Sequence, residues 1–196
     1  MINSFRILIL KLLIISLVFS KNDAYSKFRK YMDDNLGSIF NIIYHQNQYN
    51  ESLVSDGIIC FESYKKYIYD NSIIRIIYDK PHIKTINKQN KQIIYDNLIE
   101  GEISLFDLLF SKNRLDVLSL VSSDPENSII KFTLESLDIM GVLKINNMSG
   151  EPNQLSLFNA DSSLMSFVHI KKVEDKGDFI LKAIDTSFFE LIDLRE

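Results

Sequence analysis

From Ser38 onward the chain alternates apolar and polar residues with a period of two, and this pattern constrains its fold more than any other feature. β-branched and aromatic residues dominate the alternating segments, as is typical of strands that bury one face. The six glycines and three prolines fall between apolar runs, where they mark turns. Ten strands are predicted on this basis, at residues 39–46, 57–62, 72–79, 83–87, 92–96, 116–121, 129–135, 142–146, 154–159 and 165–173.

Two stretches have helical periodicity instead. Residues 21–37 repeat an apolar side chain every four positions, and Gly37 suits the end of a helix. Residues 104–111 read SLFDLLFS, with leucines at helical spacing, and residues 187–191 are expected to form one helical turn. Sequential strands with short turns make an antiparallel sheet, and a large sheet with one apolar face curls and requires a cover. The two helices are the available covers.

The first twenty residues have the composition of a secretory signal peptide. Arg6 supplies a positive charge, and residues 7–19 are apolar apart from Lys11 and Ser16. The apolar run is too short to span a bilayer comfortably, and Val18 and Ser20 are small residues suited to a cleavage site. We therefore expect a signal peptide at 1–20 and one domain at 21–196, with an uncleaved membrane anchor as the alternative.

The charge of the chain argues against nucleic acid as a partner. The formal charge is −4, and removal of residues 1–20 leaves 20 basic against 26 acidic residues, a charge of −6. Phosphate binding requires a basic surface, which this balance does not provide. Cys60 is the only cysteine, so no disulfide can form within the chain, and its thiol is expected to pack in the core.

The sequence lacks the motifs of common catalytic sites. No HExxH, GxSxG, P-loop or CxxC is present, and the only histidines are His45, His82 and His169. His45 and His169 alternate with apolar neighbours, which favours ordinary strand histidines over metal ligands. A catalytic site needs converging groups, so no catalytic residue, metal site or cofactor is predicted and the protein is not expected to be an enzyme.

Short motifs along the chain match those of a known family in order. Residues 78–81 (YDKP) match a strand end of the form Tyr-x-x-Pro, and residues 93–96 (IIYD) match a later strand ending in Tyr-Asp-Pro. Residues 40–46 (FNIIYHQ) match an aromatic-x-Gln strand, SLFDLLFSK a short Leu-rich helix, residues 150–170 a late hairpin, and SFFELIDLRE an aromatic-rich tail. In these features the chain resembles the LolA family of periplasmic outer-membrane lipoprotein carriers over nearly its whole length after the leader.

Three positions depart from the pattern of that family. An Arg-Pro pair is replaced by Asp70-Asn71 in an ungapped comparison, or by Tyr64-Lys65 if a gap is allowed. An Asp-Gly turn is replaced by residues 88–90 (KQN), and the proline after Tyr-Asp is Asn97. Lid closure in this chain therefore cannot depend on the family's arginine.

The resemblance implies a mainly β fold with helices, namely an incomplete, half-open antiparallel β-barrel with a helical lid. Its apolar cavity would hold lipoprotein acyl chains, each exposed CH₂ of which costs about 0.8 kcal/mol in water. The implied partners are acylated lipoproteins, an inner-membrane release complex and an outer-membrane acceptor. The implied location is the periplasm of a Gram-negative bacterium, and a monomer is expected.

The resemblance also implies which residues line the cavity. It places Ile74, Ile76 and Tyr78 there, and strand alternation puts Arg75 and Ile77 on the other face. The remaining predicted cavity residues are Tyr44, Ile86 and Ile94, and the predicted lid residues are Leu105, Leu108 and Leu109. An apolar face is usually filled by its own side chains, so each of these residues could equally belong to an ordinary core.

Two further interpretations stay open at the level of sequence. A lipid-binding or envelope-sensing module of the same fold would act on another ligand or on a protein partner. A secreted β-sandwich would have a filled interior and no large cavity.

Overall fold

A computed structural model describes residues 24–48, 51–98, 105–110, 116–122, 125–134, 138–159, 161, 163–174 and 182–195. Within these ranges twelve strands form a single sheet, accompanied by helix α1 at residues 24–34 and helix α2 at Leu105–Phe110. The predicted signal peptide at 1–20 lies outside the described residues. None of the helices in the described ranges is both long and apolar enough to cross a membrane.

The strands follow one another closely along the chain. Their bounds are β1 Ile39–Gln48, β2 Glu51–Ser63, β3 Lys66–Asp70, β4 Ile74–Asp79, β5 His82–Asn87, β6 Gln92–Asn97, β7 Asp116–Ser122, β8 Asn127–Leu134, β9 Ile139–Asn146, β10 Pro152–Phe158, β11 Leu164–Lys172 and β12 Glu190–Asp193.

Strand β1 lies in the middle of the sheet, between β2 and β11. The strand order is β12-β6-β5-β4-β3-β2-β1-β11-β10-β9-β8-β7, so β12 and β7 form the two edges and the sheet does not close on itself. All pairs are antiparallel except β12 with β6, which run parallel. Two meanders, β1–β6 and β7–β11, are thus joined side by side through β1 and β11.

The core occupies one face of this sheet, which we call the inner face. Alternation along each strand sends every second side chain to this face, where both helices pack. The side chains of the core that are at most 2% exposed are Phe28, Met32, Phe40, Ile42, Ile59, Phe61, Tyr78, Leu109, Ile130, Phe132, Leu143, Ile145, Leu155 and Val168.

Helix α1 is held on the inner face by its apolar stripe, by a hydrogen bond to β2 and by close contact with the β9–β10 turn. Phe28 and Met32 are buried in the core, four residues apart, as the periodicity predicts. The helix is followed by Gly37 in the left-handed region (φ 79°), whose N–H bonds the Phe61 carbonyl at 2.6 Å. Gly150, in the β9–β10 turn, lies so close that a Cβ there would come within 2.4 Å of the Lys27 carbonyl oxygen.

The predicted fold class is confirmed: the protein is mainly β, with an open, largely antiparallel sheet and helices on one face. The described strands form one sheet and not the two stacked sheets of the β-sandwich alternative. All ten predicted strands and both helices are present, with ends that differ by up to six residues.

The sequence reading missed two strands and misassigned one segment. Strand β3 was not predicted, because its five residues lie between two turns and are flanked by charged residues. The helical turn predicted at residues 187–191 is wrong: Ser187 and Phe188 form a turn, and β12 begins at Glu190. Strand β12 depends on pairing with β6, which is distant in sequence, so local pattern does not reveal it.

Candidate functional site

The inner face differs in burial between its two halves. Where α1 packs, the side chains of β8 to β11 are almost completely covered, as Ile130, Leu143 and Val168 illustrate at 0–1% exposure. On β4 and β5, by contrast, Ile74, Ile76, and Ile83 pack against the core but are only partly buried. The half of the inner face formed by β3 to β6 therefore presents apolar surface that the described helices cover incompletely.

Strand register arranges these side chains in rows across the sheet. One row runs from Tyr69 through Ile76 and Thr85 to Ile94. The adjacent row runs from Tyr67 through Tyr78 to Ile83. Directly opposite side chains on one face of a sheet contact one another, so each row is a continuous strip that is apolar except at Thr85.

Aromatic side chains join this surface to α2. The rings of Tyr67 and Tyr78 stack with centroids 4.6 Å apart, and Phe106 lies against Tyr67 and Tyr69 with centroids at 5.6 and 5.8 Å. Leu108 and Leu109 are buried in the same core. The short helix therefore lies over β3 and borders the partly open surface of β4 to β6.

An arginine of α1 contacts the end of α2. Arg29 Nη1 donates to the Leu109 carbonyl at 3.5 Å, and its guanidinium lies 6.0 Å from the centre of the Tyr64 ring. The Tyr64 hydroxyl in turn donates to Asp33 of α1. Arg29 of α1 thus supplies a cation that contacts the end of α2.

Most of the predicted cavity residues lie together on the inner face. Ile74, Ile76 and Ile94 lie on the face that carries Tyr78, and Tyr44 packs against the same core from β1. Burial raises the pKa of Tyr44, and a hydrogen bond with Ser166 offsets part of that rise. The sheet thus brings these five predicted residues to one face, across strands β1, β4 and β6.

Ile86 is placed on the opposite, outer face, which corrects the prediction for this residue. The turn between β4 and β5 pairs Tyr78 with Ile83, so Ile86 lies beside Arg75 and Ile93. A shift of one residue in register moves every side chain of a strand to the other face, so the face of Ile86 depends on this pairing. Leu105 begins α2, and its side chain lies outside the described residues.

Sequence reasoning missed four residues of this surface, namely Tyr67, Tyr69, Ile83 and Phe106. The first two lie on β3, whose Tyr-Ile-Tyr alternation was the available signal. Ile83 was included in a predicted strand but not assigned to a face. Phe106 lies in the predicted lid helix, where the leucines were singled out instead.

The outer face carries a charged cluster around Asp70, one of the two places at which the sequence comparison put the family's Arg-Pro pair. Asp70 accepts hydrogen bonds from Arg75 Nε and Nη2 at 3.0 Å each, and Lys88 Nζ lies 2.8 Å from Asp70 Oδ1. Burial by itself raises the pKa of Asp70, but the hydrogen bonds and charges of Arg75 and Lys88 lower it by more. Asn71 accepts from the N–H groups of Ile73 and Ile74, so this segment forms a turn.

The three histidines contact aromatic and amide side chains in the described residues. The His45 ring stacks on Phe167 at 4.2 Å with His169 edge-on to both, and His82 is bonded to Asn97. Within the part of the chain that the structure describes, no three His, Cys, Asp or Glu side chains are placed to hold a metal ion.

Solved structures of other proteins align with this chain at low sequence identity. An uncharacterized conserved protein from Thermus thermophilus aligns with a TM-score of 0.53 at 8% identity, over 86% of this chain and 98% of that chain. A LolA superfamily protein from Nitrosomonas europaea aligns with a TM-score of 0.41 at 11% identity, over 81% and 97%. MucB, in its complex with MucA from Pseudomonas aeruginosa, aligns with a TM-score of 0.46 at 11% identity, over 85% and 62%.

No family model matches the chain, and no curated protein matches it either. At 8% identity the likeness to the Thermus protein is one of fold alone. The architecture itself, an open antiparallel sheet with helices over its apolar face, is the one that the sequence motifs implied.

Proposed function

We propose that this protein is a periplasmic carrier that binds the acyl chains of lipoproteins on its inner face and delivers them from the inner to the outer membrane. The observation that carries the proposal is the partly covered apolar surface of Ile74, Ile76 and Ile83, next to a short helix. Extended apolar surface that the protein's own helices leave incompletely covered is suited to a ligand of the same polarity.

The physical requirement of such a carrier is shelter for hydrocarbon. Each CH₂ group that leaves water gains about 0.8 kcal/mol, so an acyl chain crosses an aqueous compartment only inside an apolar container. The rows through Ile76 and Tyr78 supply surface of this kind. In this proposal Ile74, Ile76 and Ile94 contact the chains, with Tyr44 at the far side, and the buried Tyr78 joins them when α2 moves away from the sheet.

The remaining parts of the proposal follow from the sequence. Residues 1–20 direct export, and the domain at 21–196 acts as a monomer in the periplasm. Its partners are acylated lipoproteins, an inner-membrane release complex and an outer-membrane acceptor. No covalent step is required for carriage, so the protein needs neither a catalytic residue nor a cofactor for this role.

The proposal is tested by native mass spectrometry of the exported, purified protein with a triacylated lipopeptide. We expect a one-to-one complex. The affinity for the lipopeptide should fall at least tenfold in Ile76→Asp, because this variant places a carboxylate in contact with the acyl chain. Ile77→Asp is the matched control, since it places the same charge on the same strand but on the outer face. It should bind the lipopeptide as the unaltered protein does.

Two results would count against the carrier. One is equal weakening by Ile76→Asp and Ile77→Asp in folded proteins, which would locate the ligand elsewhere. The other is the absence of a complex with any acylated ligand in a protein whose circular dichroism shows a folded sheet. A stable complex with an envelope protein in that case would favour the sensing module instead.

A further inference from the structure

A group of three hydrogen-bonding side chains lies at the border of the apolar half of the inner face. Ser55 Oγ and the Tyr69 hydroxyl lie 3.1 Å apart, and Asn71 Nδ2 lies 3.0 Å from each of them. We call Ser55, Tyr69 and Asn71 the hydroxyl–amide triad. Tyr69 is 7% exposed, and the other two side chains are partly buried, so the triad lies in surroundings that contain little water.

The fold places the Tyr69 hydroxyl in this position by means of a glycine. Tyr69 is opposite Ile59 in the register, and its ring leans over Gly57 toward Ser55, two residues further along the same face. A Cβ at Gly57 would lie 2.7 Å from the Tyr69 ring and 2.8 Å from the Asp70 carbonyl oxygen. Any larger residue at position 57 would therefore push the ring away from Ser55.

Apolar side chains surround the triad. Ile76 is the direct cross-strand neighbour of Tyr69, Tyr44 is that of Ser55, and the Phe106 ring is 5.8 Å from the Tyr69 ring. Ile74 lies directly beyond the turn that Asn71 forms. An acyl chain lying along Ile76 would thus bring one of its ends next to the triad.

The hydrogen bonds within the triad leave one hydroxyl hydrogen for a ligand. Asn71 donates through Nδ2 to both hydroxyl oxygens, and one hydroxyl donates to the other. A pair of hydroxyls has two hydrogens, and one of them is used inside the triad. When Ser55 donates to Tyr69, the Tyr69 hydrogen is directed to an acceptor outside the triad.

We propose that the hydroxyl–amide triad binds the ester carbonyl of a glyceryl-linked acyl chain, with Tyr69 as the donor. A carbonyl that leaves water must be given a hydrogen bond, because an unsatisfied acceptor in an apolar site is costly. The triad thus fixes how far an acyl chain slides along the inner face and favours ester-linked over ether-linked chains. This inference rests on the proposed binding of acyl chains to the inner face.

The test is a competition between two lipopeptides that differ only in their two ester carbonyls, and native mass spectrometry measures how much of each is bound. One carries a diacylglyceryl group and the other a dialkylglyceryl group of equal chain length. We expect the protein to prefer the diester about five- to tenfold, the worth of one such hydrogen bond. In Tyr69→Phe the preference should fall to less than twofold.

Tyr95→Phe is the control, because it also removes a single tyrosine hydroxyl but Tyr95 lies on the outer face of β6. This variant should keep the preference for the diester. An unchanged preference in Tyr69→Phe, or an equal loss in both variants, would overturn the proposal. So would equal binding of both lipopeptides by the unaltered protein, a result that leaves the carrier function standing, whereas binding of neither would refute the carrier function itself.

A second measurement, which needs no variant, tests for the hydrogen bond to the ester carbonyl. Infrared spectroscopy of the unaltered protein with a diester labelled with ¹³C at its carbonyls reports directly on the bonding of those groups. We expect a band shifted to lower frequency than that of the same ester in dry alkane. A bound ester with both carbonyls at the alkane frequency would contradict a hydrogen bond from the triad.

Discussion

At the scale of single residues, Asp70 illustrates how charge is accommodated on the sheet. Its side chain is 17% exposed and that of Arg75 is 10% exposed, and the two form a double hydrogen bond across β3 and β4. Lys88 from the β5–β6 turn completes the cluster. Ion pairs of this kind are costly to break because one charge is then left without its partner.

The Asp70 carboxylate should make the stability of the protein depend on pH. Its pKa is lower in the folded state, so its contribution is present above the unfolded pKa of about 3.9 and is lost as the pH falls through the folded value. Asp70→Asn should lower the free energy of unfolding by about 1.5–3 kcal/mol at pH 7, and by less at pH 3. Urea unfolding of both proteins at the two pH values measures this difference.

A suitable control for this prediction is Asp79→Asn, which removes an exposed carboxylate from the end of β4. It should change stability by no more than about 0.5 kcal/mol at either pH. If Asp70→Asn lowered the free energy of unfolding by the same amount at pH 7 and at pH 3, the role assigned to the carboxylate would be contradicted.

At the scale of elements, α2 is held by its surroundings and not by its own length. It has six residues, and isolated helices shorter than about 12–15 residues are marginal in water. Its described attachments are the Phe106 ring against β3, the buried leucines, and the hydrogen bond from Arg29. We therefore infer that this helix moves away from the sheet more readily than α1 and that it opens when a ligand enters.

Removal of the Phe106 ring should loosen this helix. Phe106→Ala removes the aromatic contacts with Tyr67 and Tyr69, so amide exchange in Leu105–Phe110 should become about tenfold faster. Hydrogen-exchange mass spectrometry with and without lipopeptide measures the effect. Phe188→Ala serves as the control, because the Phe188 side chain is 87% exposed. Full protection of the α2 amides in the unaltered protein, both with and without ligand, would refute the opening.

At the scale of the whole molecule, the last strand ties the two halves of the sheet together. Strand β11 pairs with β1 in the middle of the sheet, whereas β12, the next strand in sequence, pairs with β6 and forms the edge beyond it. The N–H groups of Glu190 and Leu194 bond the carbonyls of Lys91 and Tyr95. Successive N–H groups along a strand point to opposite sides. The N–H of Ile192 therefore points toward β6, like those of Glu190 and Leu194, and the N–H of Leu191 points away from it.

Proline substitutions at neighbouring positions test this arrangement. Ile192→Pro removes a donor to β6, so β12 should detach and the β6 amides of Gln92–Asn97 should exchange at least tenfold faster. Leu191→Pro removes only an N–H on the outer edge and should have a clearly smaller effect. Mass spectrometry measures the hydrogen exchange of the β6 amides. Equal exchange rates in the two variants would contradict the pairing of β12.

Local pattern determined most of the secondary structure. The period of two and the short turns predicted ten of the strands, and the four-residue repeat predicted the stripe of Phe28 and Met32 that packs on the sheet. These features could be predicted because each depends on residues within a few positions of one another. For the same reason the sequence motifs were sufficient to imply an open antiparallel sheet with helical cover.

Tertiary structure decided which residues share a face and which strands form the edge. The β4–β5 turn has two residues and pairs Tyr78 with Ile83, and this pairing places Ile86 on the outer face. Ser55, Tyr69 and Asn71 come together only because their strands are neighbours in the sheet. The pairing of β12 with β6 depends on strand order in the same way. Periodicity along a chain carries no information about such pairing, because every register that buries apolar side chains satisfies the same pattern.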